Sequence, residues 1–168
     1  MSGVNIGPRR VDLLSALKDT IETNLAATSG NTVDLSTVTV TVLPAGDVAD
    51  SNPERVYLGI PSAVETQATT VGSRHLEDVW QLTALIRSQP PGGAEAETQW
   101  LATLGRCEAI AGAVLASVHG DGRVTTTYGT PRVSGFDGPT IVGGSPLIAE
   151  ALVTVTVTST IHPAIPSS

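Results

Sequence analysis

The sequence predicts an α+β fold, in which an antiparallel or mixed β-sheet carries two α-helices on one face and long loops join the elements. Two segments, 9–27 and 94–119, have the periodicity of amphipathic helices. Two others, 76–88 and 148–161, alternate between apolar and polar side chains, as long strands do. The longer helical segment lies between these two strand segments, so we expect all four to share one core.

The first helix is predicted from a regular apolar stripe that follows Pro8, a residue suited to a helix start. The stripe consists of Leu14, Leu17, Ile21 and Leu25. Gly30 comes shortly after it and is the expected end signal, because glycine readily adopts the left-handed conformation that closes many helices. These features predict a helix over 9–27.

Three strands are predicted before the second helix, at 37–42, 55–60 and 76–88. Residues 61–75 contain few apolar side chains, so we expect a long loop or a flexible hairpin tip there. The longest strand has two faces. One face carries Trp80, Leu82, Ala84 and Ile86, and the other carries Val79, Gln81, Thr83 and Leu85.

Two parallel stripes characterise the second helix, 94–119. The apolar stripe consists of Trp100, Leu104, Cys107, Ala111, Val114 and Val118. The other contains only small residues, namely Gly105, Ala109, Gly112 and Ala116. Since each internal glycine costs a helix roughly 1 kcal/mol relative to alanine, we expect the small residues to permit close packing against the sheet or the first helix.

The remaining chain is predicted to form a tight turn at 120–122, a strand at 123–128 and a final strand that ends at residue 161. Between those strands, 129–148 is rich in glycine and contains prolines at positions 131, 139 and 146. This composition predicts a long irregular loop.

Composition fits a single domain over 1–168, with 1–8 and 162–168 expected to be flexible termini. Charged residues make up 15% of the chain, against about 25% in typical domains. A neutral polar surface suits packing against other protein copies, and it equally fits the bias of a GC-rich genome, since Lys18 is the only lysine. No apolar run approaches the roughly 20 residues of a membrane span, and the N-terminus lacks a secretory pattern. We therefore expect a soluble intracellular protein without a membrane partner.

Net charge and cysteine content exclude several classes of function. The net charge is −7 and the pI is near 4.7, so an overall basic footprint for gripping nucleic acid is absent. Cys107 is the only cysteine, which excludes an internal disulfide and a cysteine-cluster metal site. We expect its thiol to lie in the core, where cysteine behaves as a small apolar side chain.

The side chains most often used in catalysis do not form a recognisable pattern. His75, His119 and His162 lack metal-ligand spacing, and His119 is explained by the helix dipole at a C-terminus. Glu77 and Asp78 are adjacent in a strand and so point to opposite faces. Glu95 and Glu97 suit the first turn of a helix, and no glycine-rich stretch has a phosphate-loop context. We expect no catalytic residues, no metal and no cofactor.

The order of elements resembles that of tail terminator (tail completion) proteins of long-tailed double-stranded DNA bacteriophages. Four parts of the chain carry this resemblance: the opening helix at 11–21, the long strand at 75–87, the helix that contains Trp100, and the terminal strand at 151–161. The resemblance covers most of the chain and rests on hydrophobic patterns and element lengths rather than on a motif.

The resemblance implies a structural virion protein without enzymatic activity. It would form a ring, usually a hexamer, at the head-proximal end of the tail tube, stop tube polymerisation and offer a surface to the head–tail connector or stopper. Double-stranded DNA would pass through the ring without specific binding. Another connector protein, a tail tube protein and an unrelated small ligand-binding or enzymatic domain are the alternative interpretations.

The candidate interface or lumen residues lie in or beside the predicted loops. They are Arg74, His75, Arg123, Arg132, Phe136 and Asp137. The arginines among them could touch phosphate weakly, although solvation or pairing within an interface explains each of them better. Tight DNA binding requires several Lys or Arg contacts to phosphate.

Overall fold

The computed structural model describes residues 10–42, 54–59, 66–68, 76–89, 96–124, 129–144 and 147–161. Within these residues the chain forms two helices and six strands. In chain order they are α1 (Arg10–Ala26), β1 (Thr39–Val42), β2 (Arg55–Gly59), β3 (Thr66–Ala68), β4 (Leu76–Ser88), α2 (Ala96–His119), β5 (Thr130–Gly144) and β6 (Leu147–Ile161). The predicted termini lie outside the described residues.

The strands form one mixed sheet in the order β1-β2-β4-β6-β5, and β3 pairs with β4 beside this path. β1 and β2 run parallel, whereas the other pairs are antiparallel. Side chains of both helices join one face of the sheet in a single hydrophobic core. The predicted α+β class, with two helices on one face of the sheet, is confirmed.

The centre of the sheet is the pairing of β4 with β6. Trp80 lies opposite Val157 and Leu82 opposite Val155, and all four side chains are buried under the helices. The intervening Gln81 and Thr83 lie on the other face, where Gln81 is exposed. The predicted division of this strand into two faces is therefore confirmed, because side chains alternate along an extended chain.

Helix α1 begins and ends within one residue of the predicted range. Its apolar stripe is buried, and it consists of Leu13, Leu14, Leu17, Ile21 and Leu25. Gly30 has a φ of 80° in the turn after the helix, which is the left-handed conformation expected of a glycine end signal.

Helix α2 is buried along most of the predicted stripe, but not at Trp100, which is 51% exposed. Burial begins at Thr103 and continues through Cys107, Ile110 and Val114. Trp100 lies on roughly the same side of the helix as Cys107, two turns earlier. The prediction that Trp100 is a core residue is therefore wrong, because the first turns of α2 extend beyond the described core.

The small-residue stripe of α2 faces outward. Gly105, Gly112 and Ala116 are exposed, and a Cβ atom added at either glycine would meet nothing within 4 Å. At 100° per residue, Gly105 lies about 160° around the helix from Cys107. The predicted close packing of this stripe against the sheet or α1 is therefore wrong for Gly105, Gly112 and Ala116, whereas Ala109 is partly buried against the core.

The predicted irregular loop at 129–148 is also wrong over most of its length. Residues 130–144 form β5, which pairs antiparallel with β6 and has three register shifts along its length. β5 has a neighbour on one side in the described sheet. An edge strand tolerates Pro131 and Pro139, since an unpaired edge does not need every backbone N–H. Glycines are common at such bulges.

Two shorter predictions are revised as well. Within the predicted loop at 61–75, residues 66–68 form β3 against β4, which fits the hairpin alternative, and the other residues of that loop lie outside the described chain. Arg123 and Val124 do not belong to a strand, although 123–128 was predicted as one. Residues 125–128 are not among those described.

Candidate functional site

A depression lies where the C-terminal end of α2 meets the start of β5. Its volume is about 450 Å³. The lining side chains and backbone belong to Val118, His119, Arg123, Val124, Gly129, Thr130, Pro131 and Arg132. We call it the arginine depression, because two of the predicted site residues, Arg123 and Arg132, line it together.

The turn after α2 positions Arg123. The N–H of Gly120 donates to the carbonyl of Ala116 at 2.7 Å, and the N–H of Val124 donates to the carbonyl of Ser117 at 2.8 Å. These bonds fold the chain back over the last turn of α2, because they use carbonyls that a helix end leaves without partners. Arg123 is thereby held beside the helix end.

His119 joins α2 to β5. Its Nε2 accepts a hydrogen bond from the backbone N–H of Val133 at 3.1 Å. His119 therefore has a specific hydrogen-bond partner at the helix C-terminus, which agrees with its interpretation as a structural residue. The same contact brings the first residues of β5, including Arg132, against the end of the helix.

The arginine depression is cationic in an acidic protein. No carboxylate is among the described residues that line it, whereas other described cations form ion pairs. These pairs are Arg10–Asp78, Lys18–Glu22, Arg87–Glu150 and Arg106–Glu54. Arg123 and Arg132 are exposed. Arg132 pairs with Thr156, so its side chain points to the face of the sheet opposite the helices, and Arg123 is the cation available to an anionic group at the depression.

The other predicted site residues do not join this depression. Arg74 and His75 lie outside the described residues. Phe136 pairs with Val153 on the helix-bearing face of the sheet, and Asp137 pairs with Leu152 on the opposite face. Phe136 is 47% exposed. The structure thus brings two of the six predicted residues together and places two others further along β5.

A second exposed surface lies at the N-terminal end of α2. Leu101 is 66% exposed and Trp100 is half exposed, and Glu97 beside them is also exposed. Spacings of three and four residues place the three side chains on one face of the helix. We call this group the α2 knob. Exposed large apolar side chains in a cluster are typical of a contact surface.

The face of the sheet opposite the helices carries several polar side chains. Hydroxyl groups of Ser134 and Thr156 hydrogen-bond at 2.8 Å across β5 and β6. Near one end, Arg87 Nε donates to Glu150 at 3.0 Å. Leu85, Leu152 and Asp137 lie on the same face, so it combines hydrogen-bonded, ionic and apolar side chains, a mixture that is common at contacts with another protein.

Two buried ionic contacts were not predicted from the sequence. Arg10 donates to both oxygens of Asp78, at 2.7 Å and 3.2 Å, and its guanidinium lies 5.9 Å from the centre of the Trp80 ring. The hydrogen bond to Asp78 raises the pKa of Arg10. Asp78 occupies the same face of β4 as Trp80, so the alternation in the sequence could have identified a buried carboxylate that needs a partner.

The second contact holds the chain before β2 against α2. Arg106 donates to both oxygens of Glu54 at 2.8 Å and 3.0 Å, and the Ser88 hydroxyl donates to the same carboxylate. Hydrogen bonding to Glu54 raises the pKa of Arg106. This network fixes the middle of α2 relative to the sheet. The first turns of the helix are exposed at Trp100 and Leu101, and His119 is exposed at its C-terminus.

Cys107 is fully buried, as predicted. Burial is the main cause of a raised thiol pKa of about 11, and the charges of Glu150 and Glu54 raise it further. A thiol in this state has little thiolate at neutral pH, so it is a poor nucleophile. Its role is to fill the core beneath α2.

Two further findings concern metal binding and membrane insertion. Across the described residues, no group of three or more His, Cys, Asp or Glu side chains could hold a metal ion. The stretch Glu97–His119 is long and apolar enough to cross a membrane by length and composition alone. Of the apolar segment within it that meets this criterion, 39% is buried inside the protein. This differs from the expectation that no apolar run approaches that length. The packing of α2 on α1 and the sheet accounts for its buried side.

Comparison with known proteins adds no relative. No protein-family model matches the chain, and no curated protein matches it significantly.

Proposed function

We propose that this chain is a structural virion protein that forms a ring at the head-proximal end of a bacteriophage tail tube. The ring terminates tail polymerisation, provides the surface to which the head–tail connector binds, and leaves a central passage for double-stranded DNA. Its partners are other copies of the chain, the tail tube protein and the connector or stopper protein. The proposal includes no catalysed reaction and no cofactor.

The observation that carries the proposal is the separation of exposed contact surfaces around a fixed core. The α2 knob lies at one end of a 24-residue helix, the arginine depression lies at its other end, and Phe136 is exposed on the edge strand β5. A closed ring needs two different surfaces on each subunit, since each copy contacts its two neighbours with different faces. Several small and separate contact sites on one subunit are suited to binding several neighbours in an assembly.

The element order supports the same proposal. The described chain contains the opening helix, the long strand β4, the long helix α2 and the terminal strand β6 in the order on which the resemblance to tail terminator proteins rests. Both helices are well formed, which favours a terminator over a tail tube subunit with one principal helix.

Charge supports a passage through which DNA moves without being held. The chain has a net charge of −7, and most of the described cations are paired with carboxylates. Arg123 and Arg132 are exposed, but the negative charge of the whole chain repels the DNA backbone, so we expect any phosphate contacts to be weak.

A tail tube subunit is the second candidate, and the length of the strands favours it. β4 has 13 residues, and β5 and β6 have 15 residues each, whereas most strands have about 5–6. Such long strands could form a continuous inner wall in a stacked tube. The two candidates differ in where the protein lies and in how many copies are present.

Deleting the gene in the phage that encodes the chain tests the proposal. We expect tail tubes to assemble without a length limit and to fail to join heads, and a plasmid copy of the gene to restore both properties. Electron microscopy measures tube length and the fraction of tails attached to heads. The absence of any tube would favour the tube subunit, and tubes of normal length that still join heads would contradict both candidates.

A further inference from the structure

We propose that neighbouring copies of the chain join head to tail, with the α2 knob of one copy seated in the arginine depression of the next. The contact deepens the proposed function and rests on it for ring closure, although the pairing itself can be tested independently. In this proposal, each of the two surfaces binds another copy of this chain.

The two surfaces match in size and polarity. The depression has a volume of about 450 Å³, enough for an indole ring and part of a neighbouring aliphatic side chain. Val118 and Val124 lie beneath the depression with 3% and 7% of their surface exposed, and Pro131 adds a partly exposed apolar surface. Trp100 and Leu101 are the exposed apolar side chains of the knob. A tryptophan that fills a pocket is a frequent energetic anchor of protein interfaces.

The two surfaces also match in charge. Glu97 is the acidic residue in the first turn of α2, and it shares a face with the apolar side chains of the knob. Arg123 supplies the positive charge on the helix side of the sheet, and no carboxylate is among the described residues that line the depression. Because the whole chain has a net charge of −7, copies repel each other in most orientations. An opposite-charge contact therefore selects one orientation.

The contact uses opposite ends of the same helix. A helix of 24 residues is about 36 Å long, so one copy can offer its knob to one neighbour and its depression to another. The partial positive charge of one helix N-terminus would then approach the partial negative charge of the next C-terminus, which is favourable. Such a contact is heterologous, and it forms a ring when the rotation per copy closes.

Cross-linking tests the proposed contact directly. Leu101→Cys places a thiol on the knob, and Thr130→Cys places one at the depression while retaining both arginines. Each site is exposed, so we expect both variants to fold, and the native Cys107 is buried. Oxidation of an equimolar mixture should give disulfide-linked pairs that contain one copy of each variant.

Val11→Cys provides the matched control, because Val11 is 72% exposed on α1 and takes no part in the contact. A mixture of Leu101→Cys with Val11→Cys should give at least tenfold fewer mixed pairs. A chain that carries both Leu101→Cys and Thr130→Cys should give a ladder of linked copies that ends at the mass of a closed ring. Equal cross-linking in the control mixture, or none in the test mixture, would overturn the inference.

Charge reversal gives an independent measurement. We expect Glu97→Arg or Arg123→Glu alone to weaken self-association at least tenfold in sedimentation experiments. An equimolar mixture of the two variants should recover association, because each reversed charge meets an opposite one on its neighbour. Glu108→Arg is the control, since Glu108 is exposed midway along α2, and it should change association less than twofold. No recovery in the mixture would overturn the proposed pairing.

The outcomes separate this contact from the proposed function. Ring-sized oligomers without the cross-link would overturn the contact and leave the ring standing. A specific cross-link, in a protein whose deletion leaves tails normal, would support the contact and overturn the proposed function. If the chain stays monomeric and inorganic phosphate binds the depression in titration, the occupant is a small anion and the inference fails.

Discussion

The two helices use their apolar side chains differently. In α1 the apolar stripe is buried from Leu13 to Leu25, so packing within one copy explains the composition of that helix. In α2, Leu101 is exposed at one end and Gly105 and Gly112 are exposed along the side. The core therefore accounts for one side of α2 and leaves the apolar character of its first turns unexplained.

This difference shows that a helix can be longer and more apolar than its own domain requires. Arg106 and Cys107 fix the middle of α2 to the rest of the molecule through an ion pair and a buried side chain. Both ends are then held at fixed positions, with exposed side chains at Leu101 and at His119. We interpret α1 as a helix that stabilises the subunit and α2 as a helix that also presents surfaces to other copies.

The largest expected effect is on the buried stripe of α1. Leu17→Ala removes a side chain that is 1% exposed, and we expect the free energy of unfolding to fall by about 3 kcal/mol, because a cavity remains in the core. Urea denaturation followed by circular dichroism measures the change. A loss below about 1 kcal/mol would show that α1 contributes less to the core than its burial implies.

The next effect is at the ion pair between α1 and β4. Arg10→Met leaves the Asp78 carboxylate, whose side chain is 1% exposed, without its bidentate partner. We expect a loss of about 2 kcal/mol in the free energy of unfolding, because a buried carboxylate that loses this ion pair is costly, and Arg10 itself is partly exposed. Lys18→Met breaks the exposed pair with Glu22 and should cost about 0.5 kcal/mol or less. Equal losses of stability in the two variants would contradict the distinction between a buried and an exposed ion pair.

The exposed glycines of α2 should respond in the opposite direction. Gly105→Ala and Gly112→Ala should each stabilise the protein by about 0.5–1 kcal/mol, because alanine favours the helix and its Cβ would meet nothing within 4 Å. Thermal unfolding of each variant measures this gain. Destabilisation by either variant would mean that another chain or segment packs closely against this stripe.

Gly138→Ala is a control for the glycine variants. Gly138 has a φ of +95°, and a Cβ there would lie 2.7 Å from the carbonyl oxygen of Glu150. Both the backbone conformation and the contact oppose a side chain, so we expect a loss of more than about 1 kcal/mol in the free energy of unfolding. The two kinds of glycine should therefore move stability in opposite directions.

The smallest effect on stability should come from the knob. Leu101→Ala truncates a side chain that is 66% exposed, and we expect the free energy of unfolding to change by about 0.5 kcal/mol or less. The same variant should weaken self-association, because an exposed leucine gains its contacts only in the assembly. Unfolding and sedimentation measured on one preparation separate the two effects. A large loss of stability would place Leu101 in the subunit core.

Regular periodicity made α1 and β4 predictable. In α1 every third or fourth residue is apolar, and in β4 every second residue from Trp80 to Ile86 is apolar. These patterns record which face each element buries. They do not record how far the core extends along an element, so the stripe of α2 predicts a buried Trp100. The helix is longer than the sheet layer it covers, and Trp100 is exposed.

β5 was not predictable from composition because its glycines and prolines are also typical of loops. A bulged edge strand accepts both residues, and its pairing depends on β6, which follows it in the chain. The candidate site was predictable in part. Arg123 and Arg132 were identified as exposed cations near loops, but their meeting depends on the turn after α2 and on the contact between His119 and Val133, which no local pattern encodes.

Locating the chain on intact tails tests the central claim most directly. A gold-labelled antibody against the chain, viewed by electron microscopy, should bind only at the head-proximal end of each tail, and averaged images of that end should show one ring of identical subunits. Label along the whole tube would identify a tube subunit. Label elsewhere on the particle, or none on purified tails, would contradict the proposed terminator function.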